Sequence, residues 1–332
     1  MGERKITLKD ISERAGVAVS TVSMVLNNKT LEGRVRISDQ TVRKVRKIAQ
    51  EMGYLSARQT LVGLVMTHFR DATETPIVQS IIEQLRCEDN CHLAMGLTTK
   101  ADPKLELEEL HFMDQKGFDG MIMEPSFALM KQVEKQPEIF ASWKNVVFIN
   151  RYPFGDIPCV TIDHRMCGYL AGQHLVGKGH RHIAFMEGHY DAVPTSYVPE
   201  CEKQIVYDRW AGFSEALGER DVSSRLVQGV DDLLAIQKEV TAVYCAHTRG
   251  ATALLSKCWH LGLSVPDALS IVGQDDEVAK EVSMPSITTV GVRARAVGER
   301  AAHMVFDLIS GKVPESVILE PHLAERESVL AL

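Results

Sequence analysis

The chain has 332 residues, of which 45% are hydrophobic and 24% are charged, and its formal net charge is −7. This length and composition are typical of a protein that buries a large core and contains more than one domain. No apolar run approaches the roughly 18 residues of a membrane span, and the charged start MGERKITLKD lacks the apolar segment of a signal peptide. The sequence therefore predicts a cytoplasmic protein without a membrane-spanning helix.

The charge is divided unevenly along the chain. Residues 1–60 contain 12 Lys and Arg against 6 Asp and Glu, whereas the remainder contains 25 against 38. A basic segment on an acidic body is typical of a phosphate-binding module joined to a larger soluble domain. A chance cluster of solvated surface charges is the alternative.

The seven cysteines are odd in number and form neither a CxxC pair nor a disulfide framework. We therefore expect buried, reduced thiols. Their positions are Cys87, Cys91, Cys159, Cys167, Cys201, Cys245 and Cys258.

The basic N-terminal segment has the pattern of three short helices. Thr7 and Asp10 have the spacing of a helix N-terminus, and Gly16 ends this first helix. The stretch from Val17 to Leu26 is rich in β-branched residues that would suit a strand, but its apolar residues fall on one helical face. A third amphipathic helix begins near Ser38. Two helices joined by a tight glycine turn form a helix-turn-helix, whose second helix lies in the DNA major groove.

This segment resembles the headpiece of the lac-repressor family over the stretches TLKDISERAGVAVSTVSMVLNN and ISDQTVRKVRKIAQEMGY. The resemblance implies a homodimeric repressor that binds a pseudo-palindromic operator in double-stranded DNA. A three-helix module that binds protein is the alternative.

The resemblance also implies which headpiece residues contact DNA. Val19 and Ser20 occupy the principal base-reading positions, where Val19 could touch a thymine methyl group and Ser20 could bond either base type. Ala18 stands where the family usually has a capping Ser, and Met24 replaces a residue that is commonly Arg or His. Basic residues of the following loop are candidates for phosphate contacts. The predicted DNA-contacting set is Thr7, Val19, Ser20, Thr21, Ser23, Met24, Asn27, Lys29, Arg34 and Arg36.

The junction that follows the headpiece is short. Most of the family has considerably more residues between the Tyr that matches Tyr54 and the Gly that matches Gly63, including a hinge helix with a Leu inserted into the minor groove. Only Leu55 to Thr60 remain here before the first predicted strand. We therefore expect little bending of the operator. The predicted domains are a headpiece with a shortened hinge, residues 1–58, and an effector-binding and dimerisation domain, residues 61–332.

From Leu61 onward, apolar runs that suit buried strands alternate with helical segments near 76–89, 103–116 and 127–143. The runs fall into two series: LVGLVM, HLAMGLT, DGMIMEP, NVVFIN and CVTID, then HIAFMEG, SRLVQG, AVYCAH, LSIVGQ and SITTV. Two such series predict two doubly wound lobes with a ligand cleft at the carboxyl ends of their strands. The predicted fold class is α/β, with an all-α helix-turn-helix headpiece.

The second part resembles the periplasmic-binding-protein-like core of the same family, over HLVGKGHRHIAFMEG, DRWAGF, GLSVPDALSIVGQDD and PSITTV. By this resemblance Arg209 matches an Arg that holds effector hydroxyls or carboxylates, and Asp275 matches a sugar-binding Asp. A surface Arg that begins a helix and a turn-forming Asp are the alternatives. The predicted effector is a sugar or sugar derivative, with an acidic or phosphorylated sugar left open. The predicted effector-binding set is His68, Phe69, Asn150, Arg209, His247, Asp275 and Val292.

Motifs for enzymatic chemistry are missing from the sequence, which contains no GxxxxGK[ST], GxGxxG, HExxH, GxSxG or CxxC. We therefore predict neither catalysis nor a cofactor. His180, His182 and His189 could suggest a metal site, but turn and strand-end roles are favoured because they lack a convincing carboxylate partner. A sugar-binding protein with a vestigial headpiece, acting through protein contacts, is the alternative function. No leucine-heptad tail ends the sequence, so a tetramer built from one is not expected.

Overall fold

The computed structural model describes residues 6–26, 37–52, 54, 59–67, 74–88, 90–98, 102–136, 138–141, 143–153, 155–188, 200–218, 221–274 and 283–332. The chain divides into two compact units, Met1–Thr60 and Leu61–Leu332. Residues 55–58 of the predicted short hinge lie outside the described residues, so the expectation of a weakly bent operator stays a prediction.

The described residues of the first unit form three helices, α1 (Leu8–Ala15), α2 (Val19–Leu26) and α3 (Asp39–Glu51). A capping box begins α1, because the Thr7 side chain accepts from the backbone of Asp10 while the Asp10 carboxylate accepts from the Thr7 backbone at 2.7 Å. The N-terminal end of α1 therefore lies where the sequence predicted it.

The α1–α2 turn depends on a left-handed residue. Gly16 has φ 66°, a conformation that costs glycine little, and its backbone N–H donates to Ser12. Val22 and Val25 of α2 are buried with residues of α1 and α3, so tertiary packing overrides their β propensity. The buried core of this unit consists of Ile11, Ala15, Val22, Val25, Val45 and Ala49.

The second unit contains two six-stranded sheets, one in each lobe. The N-lobe sheet has the order β11-β5-β4-β3-β1-β2, with parallel pairing from β1 through β3, β4 and β5 to β11. Its strands are β1 (Thr60–Met66), β2 (Cys91–Leu97), β3 (Gly120–Glu124), β4 (Val146–Ile149), β5 (Cys159–Ile162) and β11 (Val317–Leu319).

The C-lobe sheet has the order β12-β10-β9-β8-β6-β7, parallel except for the pair of β10 and β12. Its strands are β6 (His182–Met186), β7 (Ser223–Val227), β8 (Ala242–Cys245), β9 (Ser270–Gln274), β10 (Thr288–Gly291) and β12 (His322–Ala324).

Helices cover these sheets. In the N-lobe they are α4 (Glu74–Arg86), α5 (Pro103–Gln115), α6 (Phe127–Lys135), α7 (Glu138–Ala141) and α12 (Ala294–Ile309). In the C-lobe they are α8 (His164–Gly177), α9 (Glu200–Leu217), α10 (Val230–Ala235) and α11 (Thr248–Leu261). The chain crosses between the lobes after β5, after β10 and after β11, so each lobe is assembled from separate stretches of sequence.

Two details correct the sequence-based prediction. The single helix expected near 127–143 is two helices, because Gln136 precedes Pro137, a position that disfavours helical backbone, and has φ −139° and ψ 69°. The structure also adds β11 and β12, which the sequence analysis did not identify. Each is only three residues long, too short to show a hydrophobic period.

Candidate functional site

The N-terminal turn of α2 presents the predicted base-reading side chains to solvent. Val19 is 43% exposed, although it is apolar, and Ser20 is also exposed. Thr21, Ser23 and Met24 are half-buried, so their side chains are less accessible. The geometry of α2 therefore leaves its first turn as the accessible part.

The other predicted DNA contacts are Thr7 and four residues that the structure does not describe. The exposed Thr7 hydroxyl donates to the Asp10 carboxylate at 2.7 Å, so it serves the helix cap. The remaining four predicted contacts lie outside the described residues; they are Asn27, Lys29, Arg34 and Arg36.

The carboxyl ends of the N-lobe strands hold a buried polar cluster. Asn150 follows β4 with φ 54°, a left-handed conformation that Asn tolerates, and its side-chain amide donates to Glu124 Oε1 at 3.2 Å. Arg151 Nη1 lies 3.4 Å from the same oxygen, and Arg151 Nε donates to the Pro125 carbonyl at 2.6 Å. The Arg151 and Glu124 side chains are only 10% and 7% exposed. Asn150 therefore helps to orient a buried ion pair.

Glu124 has further capacity to accept hydrogen bonds. Its Oε2 atom is buried and has no hydrogen-bond partner among the described residues. A buried carboxylate oxygen without a donor is costly, so a ligand hydroxyl or amine that donates to it would be stabilised.

Arg209 contacts the carboxyl end of a C-lobe strand. It lies on α9 and is only 5% exposed, so it is not the surface residue that the alternative interpretation required. Its Nη1 donates to the carbonyl of Ala246, the residue after β8, and its Nη2 lies 3.2 Å from Nδ1 of His164, the first residue of α8. Because guanidinium only donates, His164 accepts at Nδ1 and carries its proton on Nε2.

His164 is held neutral in this position. Burial, followed by the charges of Arg209 and Arg151, lowers the pKa of His164 well below its ordinary value. Arg151 belongs to the N-lobe and Arg209 to the C-lobe, so His164 experiences charges from both lobes.

The neutral His164 predicts a pH-dependent stability. Above pH 6.5 neither state protonates this histidine, but below it the unfolded chain binds a proton that the folded chain does not, so stability falls as the pH falls. One such proton contributes at most about 1.4 kcal/mol per pH unit. Urea unfolding of His164→Asn, which keeps an acceptor beside Arg209, should therefore show a shallower pH slope than wild type between pH 7 and 5.5. Equal slopes would show that His164 takes up its proton to the same extent in the folded and unfolded chains, which contradicts a lowered pKa.

The remaining predicted effector residues are placed only in part. His247 is half-buried at the N-terminus of α11, where its side chain makes no capping hydrogen bond, and Val292 is buried just after β10. His68, Phe69 and Asp275 lie outside the described residues.

The histidines of GHRH have structural partners. His180 Nδ1 lies 2.8 Å from the Thr241 hydroxyl and its Nε2 lies 3.0 Å from the Leu330 carbonyl, while His182 Nδ1 lies 2.6 Å from the Ser223 hydroxyl. Within the described ranges, no three His, Cys, Asp or Glu side chains form a group that could hold a metal. His189 lies outside those ranges.

The cysteines follow the expectation only in part. The buried thiols are Cys159, Cys167, Cys245 and Cys258. Cys91 is half-buried, and the expectation of burial is wrong for Cys87, which lies exposed just after α4.

Sequence reasoning missed Glu124, Arg151 and His164. A charged residue at the end of the apolar run DGMIME could have identified Glu124, since carboxyl ends of parallel strands carry ligand sites. Nothing in the sequence pattern indicated that Arg151 pairs with it or that His164 contacts Arg209, since these contacts join segments 27 and 45 residues apart.

Comparison with known proteins shows which family the chain belongs to. The family model for bacterial regulatory proteins of the lacI family matches residues 7–56, and that for a periplasmic binding protein-like domain matches residues 173–329. The HTH-type transcriptional repressor PurR of Erwinia tasmaniensis is 30% identical, over 97% of this chain and 96% of the relative. The chain belongs to the lac-repressor family. It is therefore a DNA-binding transcriptional regulator and not an enzyme, and the predictions of family and fold are confirmed.

Solved structures agree with this family assignment. A lac repressor dimer bound to operator and the anti-inducer ONPF is 21% identical, with a TM-score of 0.67 over 99% of this chain and 100% of that one. A complex of the transcriptional regulator CelR with cellobiose is 26% identical, with a TM-score of 0.62 over 97% of this chain and 99% of that one. No helix in the described part of this lac-repressor family member is long and apolar enough to cross a membrane.

Proposed function

We propose that this regulator is a cytoplasmic, homodimeric repressor whose affinity for a pseudo-palindromic operator is controlled by a sugar or sugar derivative bound between the two lobes. The observation that carries the proposal is the pair of buried polar groups at the strand ends, Glu124 with Arg151 in one lobe and Arg209 with His164 in the other. The operator-bound lac repressor dimer and the cellobiose complex of CelR support the same assignment.

A polyhydroxylated ligand suits this chemistry because each hydroxyl group can both donate and accept. Glu124 Oε2 can accept from one hydroxyl, and the Arg209 guanidinium can donate to others. Asn150, His247 and Val292 complete the described part of the proposed site. The proposal also includes His68, Phe69 and Asp275, which lie outside the described residues.

The proposed domain roles follow the two compact units of the chain. The headpiece, residues 1–58, binds the operator, and residues 61–332 bind the effector and form the dimer. A single headpiece contacts one half-site, so pairing through the larger unit would supply the two half-site contacts that a pseudo-palindromic operator requires.

The headpiece assignment is tested by operator choice. Sequences that the full-length chain binds should be selected from randomised duplex DNA, first for wild type and then for Val19→Ala and Ser20→Ala. We expect each variant to change the preferred base at one position in each half-site, with a loss of roughly fivefold on the original site, because a single apolar or hydroxyl contact is weaker than a bidentate one.

The loop arginine Arg34 supplies the control. Arg34→Ala should weaken binding to all sequences alike and reduce the salt slope by about 1, as expected for one phosphate contact. A change of base preference in this variant without a change of slope would contradict the assignment. If the wild type selects no sequence, the headpiece does not act on DNA and the sugar-binding alternative gains support.

A further inference from the structure

A hydrogen bond joins the two lobes of the second unit near the cleft. Tyr152 lies in the N-lobe loop between β4 and β5, and its hydroxyl donates to Asp208 Oδ2 on α9 of the C-lobe. Gln204, one turn earlier on α9, donates to the other oxygen of Asp208 at 3.0 Å. Both carboxylate oxygens of Asp208 are thus engaged, one of them by the opposite lobe.

The Tyr152 ring is held beside the proposed effector site. It packs edge-on against His164, with the ring centroids 6.3 Å apart and the planes at 89°. Burial and the neighbouring Asp208 carboxylate raise the pKa of Tyr152, so the phenol keeps the proton that it donates. Tyr152 is 39% exposed, so solvent reaches part of the residue.

We propose that Tyr152 and Asp208 form an interlobe latch, which holds the cleft closed when no effector is bound and thereby regulates access to it. Separation of the lobes must break this hydrogen bond, because its donor and acceptor belong to different lobes. Arg209 is the next residue of α9, so it moves with Asp208 when the lobes separate. The contact between α6 and α9 lies across the same division and would open with it.

The latch depends on the proposed function only for the identity of the ligand that enters the cleft. Lobe closure itself can be measured without an effector, so the two proposals can fail separately. A chain that selects no operator and responds to no sugar would refute the function and leave the latch measurement intact.

The test uses the full-length chain without effector and the variant Tyr152→Phe, which removes the hydroxyl and keeps the ring against His164. We expect amide exchange in peptides from α6 and α9 to accelerate about fivefold, as the loss of one hydrogen bond to a carboxylate allows. Small-angle X-ray scattering should show a larger radius of gyration. Tyr207→Phe is the matched control, because Tyr207 is an exposed tyrosine on the same helix, next to Asp208.

A second variant removes the other partner of the same hydrogen bond and so tests the latch independently of Tyr152→Phe. Asp208→Ala removes the acceptor and should have the same effect as Tyr152→Phe, and the double variant should add little to either. Gln204→Ala should change exchange much less, since Gln204 and Asp208 lie on the same helix. The latch is refuted if Tyr152→Phe matches Tyr207→Phe in both measurements, or if the effects of the two latch variants add fully.

Discussion

Gly212→Ala should destabilise the second unit by about 3 kcal/mol and displace Arg209 from its partners, because overpacking against backbone atoms is among the more costly core substitutions. Helices α8 and α9 cross with their backbones in contact. A Cβ atom on Gly212 would lie 1.8 Å from the Arg165 carbonyl oxygen, and one on Gly168 would lie 1.8 Å from the Arg209 carbonyl oxygen. Backbone cannot rotate away as a side chain can, so the helices must separate by more than an ångström.

Gly177→Ala provides the control for this substitution. Gly177 is the last residue of α8, and a Cβ atom there would meet nothing within 4 Å. Alanine has the higher helix propensity, so this variant should be neutral or more stable than wild type by up to about 1 kcal/mol. Both replacements add one methyl group, and they differ only in what that methyl group meets.

Urea unfolding followed by tryptophan fluorescence measures the difference. All three tryptophans, Trp143, Trp210 and Trp259, belong to the second unit, so their signal reports on that unit alone. Trp210 also packs against Phe185 and Phe213 beside the α8–α9 crossing, with ring centroids 5.1 and 6.0 Å away. Coincident unfolding midpoints for Gly212→Ala and Gly177→Ala would show that the crossing tolerates a side chain.

The fold could be predicted from the sequence wherever a pattern is local. The inner strands appear as continuous apolar runs because helices cover both faces of each sheet there. The prediction of burial is wrong for the edge strands β2 and β7, most of whose residues are not buried. The β-branched helix α2 was identified by the period of Val22, Val25 and Leu26, although its residue types favour a strand. Helix caps at Thr7 and Gly16 could be predicted for the same reason, since each depends on residues no more than four positions away.

The site could be predicted only where a single residue carried the signal. The ion pair between Glu124 and Arg151 joins the ends of two neighbouring strands of one sheet, and the hydrogen bond between Tyr152 and Asp208 joins the two lobes. The close approach of α8 to Gly212 could not be predicted either, because a glycine within a helix does not indicate which backbone lies next to it. These contacts are set by tertiary packing and not by local propensity.

Arg209→Ala should abolish the response to effector while leaving operator affinity within a few-fold of wild type. Arg209 belongs to the second unit, whereas the proposed base contacts are on α2 of the first. The effector is first identified on wild type, as the member of a panel of neutral and phosphorylated sugars that shifts binding to the selected operator. Loss of a buried charge-assisted hydrogen bond should raise the sugar concentration that gives half of the response by roughly 100-fold or more, so no response is expected at the concentrations that act on wild type.

Two further variants separate ligand binding from damage to the fold. Arg209→Lys keeps the charge but lacks the planar fork that donates to both Ala246 and His164, so it should also respond poorly while its urea midpoint stays closer to wild type. Arg165→Ala removes an exposed arginine of α8 that pairs with Glu215 at 2.8 Å, and its response should be unchanged. If Arg209→Ala responds at the wild-type sugar concentration, the guanidinium does not bind the effector, and its hydrogen bonds to Ala246 and His164 serve only to join α9 to the strand ends.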